Sequence, residues 1–169
     1  MVTMTRFNTG QVGEYSVAAA LARYGFTVAL PTGNAPNIDV LAYRHSIQLA
    51  IQVKTTKHPN FQFQLNRFLD ISFGSDGQQL IKGIKPDLDK EISMVLVSLG
   101  KQSSDDGFIW TTLIEFAEYL KTSHEKYLAK HGGRRPGKNP FSMHAAHTRK
   151  ELEEAFPIST AAEFIGRYS

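Results

Sequence analysis

The sequence predicts an α/β fold, a mixed central sheet flanked by helices. Three features point that way. A helical stretch near the N-terminus precedes three strand-like runs. Farther on, Ile92-Ser93-Met94-Val95-Leu96-Val97-Ser98-Leu99 is a near-continuous apolar run of the kind found in a strand covered on both faces. A second helical stretch then follows a short strand. Runs of strands set between helices stack as layers around one sheet, and 169 residues, 41% of them hydrophobic, are enough for a sizeable core.

Asn8-Thr9-Gly10-Gln11 has the form of a helix start, with Asn8 as N-cap and Gln11 three residues on. That helix runs to about Tyr24 and stops at Gly25, with Val17, Ala18 and Leu21 as its apolar stripe. Glu14 shares the face of those residues by helical spacing. An acid there must be paired, protonated or bound to a cation, because burying a bare carboxylate is costly; the alternative is a helix-end acid that reaches solvent. Phe26-Thr27-Val28-Ala29-Leu30 reads as a strand, closed by Pro31 and the loop Thr32-Gly33-Asn34-Ala35-Pro36-Asn37. Asn37-Ile38-Asp39-Val40-Leu41-Ala42-Tyr43 and Ile47-Gln48-Leu49-Ala50-Ile51-Gln52-Val53-Lys54 read as the next two strands. Phe61-Gln62-Phe63-Gln64-Leu65 alternates as a further one.

Residues 74–90 read as a loop with a short element at Gln79-Leu80-Ile81, and Gly74-Ser75-Asp76-Gly77 as a turn rather than a phosphate loop. Phe108-Ile109-Trp110 makes a short strand. Thr112 and Glu115 then form the signature of a capping box for a helix with Leu113, Phe116, Leu120 and Leu128 on its core face, ended by Gly132-Gly133. After a loop at 134–140, helices at about 147–155 and 160–167 complete the chain. Residues 1–131 are expected to form the core, and 132–169 a basic loop with a helical extension, either part of that domain or a small appendage.

No stretch approaches the roughly 20 apolar residues of a membrane span, and the N-terminus lacks the pattern of a signal peptide. The absence of cysteine excludes disulfides, thiolate zinc sites and cysteine nucleophiles, and fits a cytoplasmic protein. Net charge is only +3, but residues 121–150 hold Lys121, Lys126, Lys130, Arg134, Arg135, Lys138, Arg149 and Lys150 near the single acid Glu125. Such a cluster suits phosphates or is simply a solvated basic face. His144 and His147 stand one helical turn apart, a spacing open to a metal but more typical of surface histidines.

One cluster carries chemistry. Along the third strand Gln52 and Lys54 point the same way, about 7 Å apart, while Leu49, Ile51 and Val53 fill the other face. Asp39 begins the neighbouring strand. An acid, an amide and an ammonium can together hold a divalent metal and a phosphate; alternatively Asp39 pairs with Lys54 and Gln52 is merely hydrogen-bonded nearby.

Helix-Glu14, strand-Asp39 and Gln52-Val53-Lys54 in this order resemble the PD-(D/E)xK nuclease superfamily, the restriction-endonuclease-like fold that includes Holliday-junction resolvases. The resemblance covers roughly residues 9–120 and implies an αβββαβ core. It departs from the pattern twice: Ile38 stands where the family has proline, and Gln52 replaces the acid of the tripeptide. Some active members carry Gln at that place. The resemblance implies a metal-dependent DNA endonuclease that hydrolyses phosphodiester bonds with Mg²⁺ or Mn²⁺. Asp39 would be the principal ligand, the Gln52 side-chain oxygen and the Val53 carbonyl further ligands, and Glu14 a ligand through water or to a second ion. Lys54 would orient the attacking water. Lys57, His58, Arg67, Arg134 and Arg135 are candidates for contact with the DNA backbone, or solvated loop residues. The expected partner is double-stranded or branched DNA, with a homodimer implied by similarity alone. The alternatives are a nuclease-fold protein that binds nucleic acid or scaffolds an assembly without cutting, and an unrelated interaction protein with a basic tail.

Overall fold

The computed structural model describes residues 5–32, 37–137 and 139–168. Gly33-Asn34-Ala35-Pro36 of the expected loop and Lys138 of the basic cluster lie outside these. The elements are α1 (Arg6–Ala22), β1 (Thr27–Ala29), β2 (Val40–Arg44), β3 (Ile47–Thr56), β4 (Asn60–Gln64), β5 (Leu69–Phe73), β6 (Gln79–Ile84), β7 (Ile92–Ser98), β8 (Gly107–Thr112), α2 (Leu113–Lys130), β9 (His144–Thr148), α3 (Arg149–Ala155) and α4 (Ala161–Ile165). They fall into two compact units. The first takes in the described residues to Phe61, residues 90–113 and those from 148 onward; the second comprises 62–89 and 114–147.

The first unit is built on a five-stranded sheet in the order β1-β2-β3-β7-β8. β3 pairs antiparallel with β2 and parallel with β7, and β8 runs antiparallel to β7, so the sheet is mixed. This is the expected fold class. Alternation places Leu49 and Ile51 of β3, Val95 and Val97 of β7 and Trp110 of β8 in one buried cluster with Val17 and Leu21 of α1 and Phe164 of α4. The rings of Trp110 and Phe164 lie 5.6 Å apart. The parallel β3–β7 connection carries β4, a 3-10 turn at Leu65–Arg67 and the β5–β6 hairpin, where the αβββαβ order would place a helix. The second long helix follows β8 instead.

The second unit packs Phe116 of α2 edge-on against Phe63 and Phe68, with centroids 4.9 and 5.4 Å apart. The β5–β6 hairpin closes through Gly74-Ser75-Asp76-Gly77, which is the expected turn: the Gly77 N–H donates to the Gly74 carbonyl at 3.0 Å.

Four local expectations are corrected. The α1 N-cap is Thr5, not Asn8. Its hydroxyl accepts the Asn8 N–H at 3.2 Å and donates to the Asn8 side chain at 3.0 Å, so the helix begins one turn earlier. Within 74–90, read as a loop with a short element at 79–81, Gln79–Ile84 is a full strand paired with Leu69–Phe73, with a bulge at Asp70/Ile71. Residues 144–148 are strand rather than helix, because β9 pairs with β4. His144 and His147 therefore do not share a helical turn. His147 is buried, with Nδ1 3.0 Å from the Tyr119 hydroxyl, and His144 is exposed. Finally, α3 starts at Arg149 under a capping box of Thr148 and Glu151.

Candidate active site

The β2–β3 pairing ends where the polar cluster begins. Val40 is the first β2 residue in register, opposite Ile51, and the Asp39 N–H donates to the Ile51 carbonyl at 2.9 Å. Asp39 thus closes on Ile51 just before the β2 ladder begins. Its carboxylate oxygen Oδ2 accepts the Val53 backbone N–H at 2.7 Å, replacing the ladder bond that a longer β2 would have made. This is a short, charge-assisted contact. In a strand the N–H and C=O of one residue face the same edge, so the Val53 carbonyl lies on the edge that Asp39 occupies.

Alternation then sorts the rest of β3. Ile51 is buried against α1 and α4, while Gln52 is half-buried and Lys54 exposed on the opposite face. Gln52 and Lys54 thus share one face of β3, and Asp39 sits at the start of β2 against the Val53 backbone.

Glu14 arrives from α1. Thr9, Gly13, Val17 and Leu21 form the buried line of that helix, and Glu14 lies beside it, half-buried rather than within the core. A Cβ at Gly13 would overlap the Thr55 side chain, so only glycine lets α1 press this closely on β3. Next to that contact, burial first and the charge of Asp39 second push the Glu14 carboxyl above its ordinary value. The two acids share one electrostatic environment, which a cation would relieve. The Thr55 hydroxyl, buried under the contact, has no hydrogen-bond partner among the described residues.

The Asp39 and Glu14 carboxylates, the Gln52 amide oxygen and the Val53 carbonyl are each hard oxygen donors of the kind that Mg²⁺ or Mn²⁺ prefers. No group of three His, Asp or Glu side chains able to hold a metal occurs among the described residues. The expected DNA-contacting residues divide between the units: Lys57 and His58 lie in the exposed turn after β3, and Arg67, Arg134 and Arg135 in the second unit. No described helix is long and apolar enough to cross a membrane.

The sequence reading passed over a second polar assembly, inside the second unit. His124 is 4% exposed and its Nε2 donates to the Gln79 side-chain oxygen at 2.9 Å. The Gln79 amide nitrogen donates in turn to the carbonyls of Pro140 (2.8 Å) and Ser142 (3.2 Å). Burial first, then the charges of Arg135 and His147, bring the His124 pKa down to about 4. The available signal was His124, Tyr127 and His131 at i, i+3 and i+7 on one helix.

No family model matches the chain, and no curated protein matches it. Among solved structures, that of a bacterial homing endonuclease, I-Ssp6803I, is similar over 68% of this chain and 74% of that chain, at 16% identity and a TM-score of 0.42.

Proposed function

We propose that the protein is a metal-dependent DNA endonuclease of the PD-(D/E)xK type. The observation that carries this reading is the Asp39 carboxylate anchored on the Val53 N–H where β2 and β3 part, with Glu14 held in its field. Asp39 and Glu14 would hold Mg²⁺ or Mn²⁺ with the Gln52 side-chain oxygen and the Val53 carbonyl. The ion, when bound, supplies charge neutralisation at the scissile phosphate and an acidified water. The chain's own residues do the rest. Asp39 is fixed by a backbone hydrogen bond and so needs no reorganisation to act as a ligand. Lys54, two residues along the same strand face as Gln52, places an ammonium to orient water and offset charge on the phosphate. Lys57 and His58 in the following turn would contact the DNA backbone. The substrate is double-stranded or branched DNA, and a homodimer would present two such corners to the two strands of a duplex.

A second reading rests on Gln52 itself. With an amide where the motif has an acid, the corner brings one charge fewer to a metal, which favours a protein that binds DNA without cutting it. Incubation of supercoiled plasmid with the purified chain over a Mg²⁺ and Mn²⁺ series separates the two. Nicking that requires metal and stops in chelator supports the endonuclease; DNA binding with no nicking at any metal concentration supports the second reading.

A further inference from the structure

The second unit contains a basic pocket of about 400 Å³ lined by Asp76, His131, Arg134, Arg135, Pro136 and Pro140. Hydrogen bonds tie two of its walls together. The Gln79 N–H donates to the Gly133 carbonyl at 2.8 Å, just ahead of the two arginines. The Gln79 side chain holds the far end of the loop through the Pro140 and Ser142 carbonyls, and buried His124 holds Gln79. Gly77, at φ +81°, lets the β5–β6 turn close on the Pro140 ring; a Cβ there would come within 2.6 Å of it. The Arg135 guanidinium lies 5.4 Å from the centre of the Tyr127 ring, which also meets the His131 ring at 4.4 Å and stacks with His124 at 5.9 Å. Arg134 is held by Asp76 at 3.6 Å, with both side chains about half exposed.

Two guanidinium groups offer planar, bidentate donors to a phosphate. Histidine and proline rings offer flat surface to a base. A duplex presents its phosphates along a long convex cylinder, whereas this is an open hollow of about 400 Å³, the scale of a single nucleotide. We propose that the pocket receives one unpaired nucleotide of a DNA strand, its phosphate on Arg134 and Arg135 and its base against His131 and the proline wall. The proposal rests on the DNA-cleaving reading and gives that activity a preference for strand ends, overhangs or branches over continuous duplex. Asp76 occupies Arg134 until the phosphate displaces it.

The test is fluorescence anisotropy of the full chain, in chelator, with a labelled duplex carrying a short single-stranded overhang and the same duplex blunt-ended; unlabelled deoxynucleoside monophosphate serves as competitor. The wild type is expected to bind the overhang about tenfold more tightly than the blunt duplex, and Arg135→Ala to abolish that preference. Asp76→Asn is expected to tighten overhang binding about two- to fivefold, a gain that a misfolded variant cannot show. The monophosphate should compete only weakly; competition as strong as by the overhang would move the assignment to a free nucleotide and overturn it. Equal binding of both duplexes, a preference retained in Arg135→Ala, or no gain in Asp76→Asn also overturns the pocket assignment. Metal-dependent, Asp39-dependent cleavage persisting alongside any of these results leaves the endonuclease reading intact. An overhang preference without cleavage overturns the endonuclease reading alone.

Discussion

The Asp39 carboxylate accepts the Val53 backbone N–H at 2.7 Å, at the point where β2 stops and β3 continues. The acid does the work of a missing strand residue and is thereby fixed beside the carbonyl edge of β3. Replacing Asp39 with Asn keeps a side-chain acceptor for that N–H but removes the charge. Asp39→Asn is expected to change stability by about 1 kcal/mol or less and to abolish any rise in melting temperature on adding Mn²⁺. Differential scanning calorimetry with and without the ion reads both effects.

Glu14 supplies a pH dependence of definite sign. Its folded-state pKa lies above 4.5, so the folded chain binds this proton more tightly than the unfolded one. Its contribution to stability is fully present below pH 4.5 and is lost as pH rises through the folded value. Glu14→Gln should therefore stabilise the metal-free protein at neutral pH and flatten that part of the profile. Chemical denaturation across pH checks the direction; a variant less stable than the wild type at pH 7 would contradict it.

His124 acts in the opposite sense. Its pKa falls from 6.5 to about 4 on folding, so the unfolded chain binds the proton more tightly. Stability is complete above pH 6.5 and declines as pH falls from there toward 4, by roughly 3 kcal/mol in all. Protonation places a charge in a buried site whose neighbours are Arg135 and Gln79. His124→Gln should remove most of that decline, as measured by urea midpoints at pH 7 and pH 5.

The seat of α1 on β3 makes a further pair of predictions. Gly13→Ala forces a methyl into the Thr55 side chain, and a packed helix yields only by lifting off the sheet; a loss of about 1–3 kcal/mol is expected, together with weaker metal binding as Glu14 moves from Asp39. Thr55→Val replaces a buried hydroxyl that has no partner among the described residues with a methyl of similar shape, and should stabilise by about 1 kcal/mol. Urea unfolding of the two variants checks both signs.

Gln52→Glu tests the amide directly. An added carboxylate about 4 Å from a divalent ion attracts it by several kcal/mol at an effective dielectric near 20. Desolvation and repulsion from Asp39 and Glu14 return part of that. The Mg²⁺ concentration giving half-maximal cleavage is expected to fall at least about tenfold, read from nicking rates over a metal titration.

Sequence and structure agree where the governing signal is local. The alternation in β3 sorted Gln52 and Lys54 from Leu49, Ile51 and Val53 before any fold was known, and Ile92 to Ser98 announced a covered strand. Helical spacing puts Glu14 on the apolar face of α1, whereas it lies beside the buried line and half-buried. What escaped depends on partners distant in the chain. Residues 144–148 carry no strand signal of their own and become β9 because β4, some eighty residues earlier, accepts them. The pocket of the second unit is assembled from a hairpin turn at Asp76 and a loop at 131–140, joined through Gln79 and His124, and no spacing encodes that meeting. Thr5, one turn before Asn8, is the N-cap because its own hydroxyl accepts the Asn8 N–H, and both residue types suit a cap.

The most direct measurement of the central claim is anomalous diffraction from crystals of the chain soaked in Mn²⁺. The account predicts a single strong peak at the β2–β3 corner, within ligand distance of the Asp39 carboxylate, the Gln52 side-chain oxygen and the Val53 carbonyl, with Glu14 directly or through water. A corner filled by the Lys54 ammonium paired with Asp39, with manganese bound elsewhere or not at all, would contradict it.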